Sequence, residues 1–202
     1  MKKPIIVAVV GPTCCGKTTE CDKLKKAFGS DCKVLSQDNF YNSADEFTNF
    51  DIPPAIDFKR LIETVKDLKE GKSVQIPQYD FKTHQRSKET VLFEPVPIII
   101  IEGILLFCND ELLKLFDIKV YIQSDRDETK KRRLIRDVRD RGRTEESVER
   151  QYINHVIPSN KQYIEPSKRH ADITLIDNSD FTFQGEAELL TAIRKKIGFI
   201  LE

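Results

Sequence analysis

The stretch Ile5-Ile6-Val7-Ala8-Val9-Val10-Gly11-Pro12-Thr13-Cys14-Cys15-Gly16-Lys17-Thr18 decides the fold of this chain. Its first half is an unbroken apolar run, the pattern of a parallel strand covered on both faces. Its second half has the spacing G-x-x-x-x-G-K-T, that of a phosphate-binding loop. Gly11 and Gly16 let the backbone bend so that successive N–H groups point inward and form an anion nest. The helix-compatible segment 17–28 adds its positive N-terminal end. Lys17 then reaches the β- and γ-phosphates of a nucleotide, and the Thr18 hydroxyl is placed to ligate Mg²⁺. The competing reading, a chance match in a turn, does not account for a buried strand before the motif and a helix after it.

Working outward, 202 residues suit one domain with a sizeable core. Lysine plus arginine equals aspartate plus glutamate at 33 each, and the pI is near 6.8. Bulk attraction to nucleic acid or to a membrane surface is therefore not expected. No apolar run reaches membrane-spanning length. The opening Met1-Lys2-Lys3-Pro4 runs into a strand without a cleavage site, so no signal peptide is expected. The five cysteines lack metal-type spacing, and Cys14 and Cys15 lie inside the phosphate loop. Both facts favour a reducing compartment, the cytoplasm.

Apolar runs at 5–10, 33–36, 98–101, 119–122 and 173–176 read as five strands, with helical patterns between them. The segment 57–70 places Phe58, Leu61, Ile62, Val65 and Leu68 on one stripe and stops at Gly71. Helices are also expected over 127–141, 145–164 and 186–197, with Pro158 kinking or breaking the second of these. This alternation predicts an α/β fold with a five-stranded parallel sheet flanked by helices. The segment 74–94 breaks the alternation and reads as a small β-hairpin excursion within a single domain spanning 1–202.

Ligands of open parallel sheets sit beyond the carboxyl ends of the strands. Asp38 stands just past the second strand, placed either to take a proton from an attacking hydroxyl or to help hold a metal. Taken alone, an Asx turn or a helix N-cap is the commoner role of such an aspartate; beside the phosphate loop the functional role is favoured. Glu102 follows Ile98-Ile99-Ile100-Ile101, the position of an acid that serves Mg²⁺; a solvent-facing carboxylate is the plainer reading. The segment 126–143 holds nine basic and four acidic residues, a sum of 9 − 4 = +5. Arg132, Arg136, Arg139 and Arg143 are expected on one helical face, with Arg133 beside Arg136. A lid that delivers arginines to a transferring phosphoryl group is favoured over a nucleic-acid patch or a solvated helix. Within Ile76–Arg86, Tyr79, Phe81 and His84 could stack on and hydrogen-bond a planar base, and Phe50-Asp51 offers an aromatic beside a carboxylate suited to ribose hydroxyls. Ordinary packing beneath a small sheet is an even alternative for these aromatics. At a helix N-terminus Cys14 and Cys15 would favour thiolate, although small residues in a tight loop need no further reason.

Taken in order, these blocks resemble the uridine-cytidine kinase family of P-loop kinases. The resemblance is carried by Gly11 to Thr19, Leu35-Ser36-Gln37-Asp38-Asn39-Phe40-Tyr41, Ile76 to Arg86 and Ile101-Glu102-Gly103-Ile104-Leu105. It continues through Arg132-Arg133-Leu134-Ile135-Arg136-Asp137, Arg141-Gly142-Arg143, Gln151-Tyr152 and Glu165-Pro166-Ser167-Lys168-Arg169. It implies a P-loop kinase fold with a helical lid, and transfer of phosphate from ATP or GTP to the 5′-hydroxyl of uridine and cytidine. By resemblance the catalytic residues are Asp38 as general base, Lys17, and Arg136 and Arg141 as phosphate clamps. The nucleotide loop comprises Gly11, Pro12, Thr13, Cys14, Cys15, Gly16, Lys17, Thr18 and Thr19. Asp51, Arg133 and Gln151 hold the ribose, Tyr79 and His84 read the pyrimidine, and Phe50 and Phe81 pack on it. Tyr41 and Arg143 join the substrate site, and Thr18 and Glu102 serve Mg²⁺. The family is typically tetrameric.

The chain departs from the family pattern in a short loop between Tyr41 and Phe50, in Phe50-Asp51-Ile52-Pro53-Pro54, at Ile157, and in Asp177-Asn178-Ser179-Asp180. A phosphoribulokinase-like kinase is the alternative within the class. The aromatic and His content of 76–86 argues for a planar base over a bare sugar phosphate. A GTP-binding switch would carry Asn-Lys-x-Asp, and Asn160-Lys161-Gln162-Tyr163 lacks the acid.

Overall fold

The computed structural model describes residues 3–45 and 48–201. Met1 and Lys2 of the expected leaderless start, Glu46 and Phe47 of the short loop, and the last residue of the 1–202 span lie outside the described residues. The strand β1 (Ile5–Val10) is central and every residue in it is buried. Its neighbours are β5 (Ile98–Gly103) and β6 (Ile118–Gln123); β2 (Cys32–Ser36) lies outside β5, and β7 (Ile173–Asp177) outside β6. All these pairings are parallel, in the order β2-β5-β1-β6-β7. A sixth strand, β8 (Phe183–Gln184), pairs antiparallel with β7 and extends the expected five-stranded sheet. Two residues are too few to carry a period in the sequence.

The unbroken apolar runs reflect burial of both faces of the sheet. Ile6, Ala8 and Val10 face a cluster with Ile99, Ile101 and α2 (Phe58–Lys69). Ile5, Val7 and Val9 face one with Ile98, Ile100, α1 (Lys17–Phe28) and α8 (Glu186–Leu201). The register brings the strand ends together: Glu102 lies beside both Val9 and Ser36. The excursion is a hairpin, β3 (Val74–Asp80) and β4 (Gln85–Phe93), as expected from the sequence.

The charged segment forms α4 (Arg126–Arg141), capped by the Asp125 side chain and ended by Gly142 at φ 66. Beyond it, the expected break at Pro158 does not occur. The helix α5 (Glu145–Gln151) runs on through a π turn (Tyr152–Val156), α6 (Ile157–Ser159), a second π turn (Asn160–Ile164) and α7 (Glu165–Ser167). Pro158 and Pro166 each fall at the start of the short segment after a π turn. The wider turn shifts the hydrogen-bond ladder, so the missing N–H and the ring are accommodated while the backbone stays helical. The short helix α3 (Asp110–Leu113) joins β5 to β6.

Candidate active site

A cavity of about 500 Å³ opens at the carboxyl ends of β1, β2 and β5, roofed by α4 and flanked by the hairpin. The phosphate loop forms its floor. Gly16 sits at φ 94, where an added Cβ would lie 2.7 Å from the Phe183 ring, and a Cβ on Gly11 would lie 2.5 Å from the Ile122 carbonyl oxygen. Neither position accepts a side chain in this backbone. Lys17 is buried, and its Nζ donates to the carbonyls of Gly11 at 3.0 Å and Pro12 at 2.8 Å. Thr13, Cys14, Gly16, Thr18 and Thr19 also line the cavity. Gly11 and Pro12 do not, and neither does Cys15, which is fully buried in the core. Burial pushes the Cys15 thiol up against the pull of Lys17, so the thiolate expected from its place at a helix end is not favoured there. Cys14, at φ 59, faces the cleft. All five cysteines are free thiols.

Asp38 and Glu102 meet on one wall. The Asp38 N–H donates to Ser36 Oγ at 3.3 Å, and Ser36 Oγ donates to Glu102 Oε1 at 2.8 Å. Burial raises the Asp38 carboxyl above its ordinary value, although Arg141, Lys17 and Arg136 pull it down. Burial raises Glu102 too, and the charge of Asp38 adds to the effect. Gln37, fully buried between them and the sheet, accepts the Leu105 N–H at 2.9 Å. A Cβ on Gly103 would lie 2.5 Å from Gln37, so glycine is required where the two strand ends approach. The structural role of Gln37 had no signature in the sequence.

Opposite the loop, aromatic rings from separated segments form a pocket. His84 stacks on Phe50 with centroids 5.0 Å apart and planes 17° apart. Tyr41 packs edge-on to Phe50 at 5.6 Å and against Tyr79 at 5.4 Å, and Phe81 meets Tyr79 edge-on at 5.2 Å. Burial pushes the Tyr79 phenol up to about 12, and its buried hydroxyl has no hydrogen-bond partner among the described residues. Asp51 is buried on the same side of the cleft. The even alternative of ordinary packing is thus only half met, because these rings pack on one another and still line open space.

The arginines close the cavity. Arg133 donates from Nη1 to Thr13 Oγ1 and from Nη2 to Gln151 Oε1, both at 2.9 Å. Arg143 also donates to Gln151. It lies past the left-handed Gly142, so it is not on the α4 face the periodicity predicted; the turn, and not the helix, delivers it. Arg141 stacks on Phe81 at 4.3 Å. Arg132 bonds Asp177 Oδ2 at 2.6 Å and lies 3.9 Å from the Phe181 ring. Phe181, which lines the cleft, and Asp137, fully buried behind its arginines, were not singled out by sequence reasoning. Phe181 had no periodic context, and Asp137 was hidden as one acid among many bases.

The parallel sheet, the glycine loop after β1 and the acids at the ends of β2 and β5 define a P-loop kinase fold. The chain belongs to the phosphoribulokinase and uridine kinase family: the family model described as "Phosphoribulokinase / Uridine kinase family" matches residues 6–180. The chain is 41% identical over 183 residues to a uridine kinase of Macrococcus caseolyticus, covering 87% of this chain and 89% of the relative. It is 42% identical over 182 residues to a uridine kinase of Halalkalibacterium halodurans, covering 86% of each. Among solved structures it resembles a putative fructose transport system kinase from Silicibacter sp. TM1040 with TM-score 0.74 and 20% identity, covering 86% of this chain and 90% of that one. It also resembles a possible uridine kinase from Bacillus stearothermophilus with TM-score 0.63 and 22% identity, covering 88% and 90%. At those identities the solved structures speak to the fold alone.

Proposed function

We propose that the protein transfers the terminal phosphoryl group of a nucleoside triphosphate, ATP or GTP, to the 5′-hydroxyl of uridine and cytidine, giving UMP and CMP in pyrimidine salvage. The observation that carries this reading is one cleft with an anion cradle on one side, a stacked aromatic pocket on the other and Asp38 between them. The relatives named uridine kinase support the choice of nucleoside. A bare sugar phosphate would leave the Phe50–His84 stack unused, which disfavours the phosphoribulokinase-like alternative.

The main-chain N–H groups of residues 11–19, Pro12 excepted, and Lys17 hold the triphosphate. Lys17 is already stripped of bulk water and held on two carbonyls, so little reorganisation is needed when phosphate oxygens replace them. Asp51, Arg133, Gln151 and Arg143 hold the ribose. Tyr79 and His84 read the pyrimidine edge, with Phe50, Phe81 and Tyr41 shaping its slot. Asp38 accepts the proton of the 5′-hydroxyl as it attacks in line. Its raised proton affinity suits it to that task better than an ordinary surface aspartate. Arg136 and Arg141 neutralise the charge on the transferring group. Positioning and electrostatics thus supply most of the acceleration.

The residues present fit Mg²⁺: the exposed Thr18 hydroxyl and the Glu102 carboxylate are hard oxygen donors, and a buried carboxylate with raised proton affinity is relieved by a cation. When bound, the ion offsets charge on the β- and γ-phosphate oxygens. We also propose a cytoplasmic homo-oligomer, a tetramer by family resemblance, without nucleic-acid or membrane partners. Among the described residues no helix is long and apolar enough to cross a membrane. ADP release measured against a panel of nucleosides, ribulose phosphate and pantothenate tests the function. Turnover with uridine or cytidine alone is expected; turnover with ribulose phosphate and none with nucleosides would reverse the assignment.

A further inference from the structure

Asp137 has no part in the reaction proposed above, yet its side chain is fully enclosed in the cleft wall. Four guanidiniums surround it and divide by oxygen atom. Arg136 and Arg141 face Oδ1, at 2.8 and 3.5 Å. Arg133 and Arg143 each stand 3.6 Å from Oδ2, which makes no hydrogen bond among the described residues. On the kinase reading the first pair serves the donor phosphates and the second pair serves the acceptor ribose. Arg133 and Arg143 also converge on the same oxygen of Gln151. Burial alone would raise the Asp137 carboxyl, but Arg136, Arg133 and Arg141 hold it below its ordinary value. It is therefore a charge and not a neutral acid at working pH. Its carbonyl also accepts the N–H of Gly142 and, at 3.1 Å, of Arg143, so the residue anchors the corner where α4 turns into α5.

We infer that Asp137 is a positioning residue that couples the two substrate sites, a counter-ion shared between the donor arginines and the acceptor arginines. A triphosphate that draws Arg136 and Arg141 away from Oδ1 leaves a buried carboxylate underpaired. In a site of low dielectric that is costly. The relief within reach is closure of the two 3.6 Å gaps, which fixes Arg133 and Arg143 beside Gln151. Acceptor affinity rises as a result, and by linkage the acceptor tightens the donor equally.

The inference rests on the nucleoside kinase reading, and the test separates the two. Uridine affinity is measured by calorimetry with and without saturating inorganic tripolyphosphate, Mg²⁺ being present throughout. Wild type should bind uridine at least about fivefold more tightly with tripolyphosphate. Asp137→Asn should bring that ratio close to one, and Asp137→Glu should restore part of it. A merely structural role would lower melting temperature without abolishing the ratio. Should Asp137→Asn fail to fold, Asp137→Glu, which keeps the charge but displaces both carboxylate oxygens, must still give a ratio below that of wild type. Uridine binding with a wild-type ratio of one, or an undiminished ratio in these variants, overturns the inference alone. No uridine binding at all removes the nucleoside reading and the coupling with it.

Discussion

The floor and the roof of the cleft are built on opposite principles. The floor is nine consecutive residues, 11–19, resting on a sheet whose central strand is wholly buried, and Lys17 bonds to its own loop. The roof and far wall gather Asp51, His84, Arg133, Arg143 and Gln151 from separate elements, with ring stacking and hydrogen bonds among them. The difference teaches that one chain can specify a rigid anion site by local geometry and an adaptable acceptor site by long-range assembly. The packed loop tolerates no added atom at Gly11 or Gly16, whereas the assembled wall tolerates graded change.

The comparison breaks most sharply at the seam between the halves. Asp38→Asn should lower kcat by about 10²- to 10⁴-fold while donor affinity measured by calorimetry stays near wild type. The acid limb of the wild-type kcat profile should lie above the ordinary aspartate range, because burial raises this carboxyl, and activity should fall as pH drops through that limb. An Asp38→Asn variant with wild-type turnover would remove it as the base.

Below the floor, Ile100→Ala empties a fully buried site in the core of the sheet that carries the loop. It should cost about 2–5 kcal/mol in urea unfolding, with KM for nucleoside unchanged where the enzyme stays folded. Gly16→Ala forces a Cβ into the Phe183 ring at a left-handed backbone position. A stability loss of about 1–3 kcal/mol is expected, together with loss of donor binding in a fluorescent-nucleotide titration. Graded loss there would contradict the local, all-or-none character of the floor.

On the far wall, His84→Ala removes one stacked ring and should weaken discrimination between uridine and a purine nucleoside by about two- to tenfold, with donor KM unaltered. Equal selectivity before and after would take His84 out of pyrimidine recognition.

The smallest effect sharpens the view of how the floor is braced. Glu20 on α1 is buried, and burial beside Glu186 pushes its carboxyl up to about 7. The folded state thus binds a proton more tightly than the unfolded chain. Its stabilising contribution is complete below the ordinary glutamate value and is lost as pH rises through about 7. Glu20→Gln should flatten the fall in melting temperature between pH 5 and 8 and stabilise the protein at pH 8 by about 1 kcal/mol.

The apolar runs and the glycine loop made the parallel sheet and the phosphate site legible, because burial on both faces leaves a continuous signal and the loop is contiguous. The continuation of helical backbone past Pro158 was not legible, because a π turn leaves no mark in composition or period. The strand Phe183–Gln184 was too short to register. In the site, Asp38 and Glu102 were legible from their places at strand ends. Their link through Ser36, and the burial of Gln37 behind them, were not.

By itself the sequence determined what local chemistry compels: a buried strand, a glycine-bounded nest of amides, and acids at the ends of the second strand and of the strand 98–103. Tertiary structure alone decided which arginine faces which oxygen of Asp137, that His84 lies flat on Phe50, and that Arg143 acts from a turn instead of a helix face. Those arrangements depend on contacts between residues far apart in the chain, and no spacing rule encodes a distance across a fold.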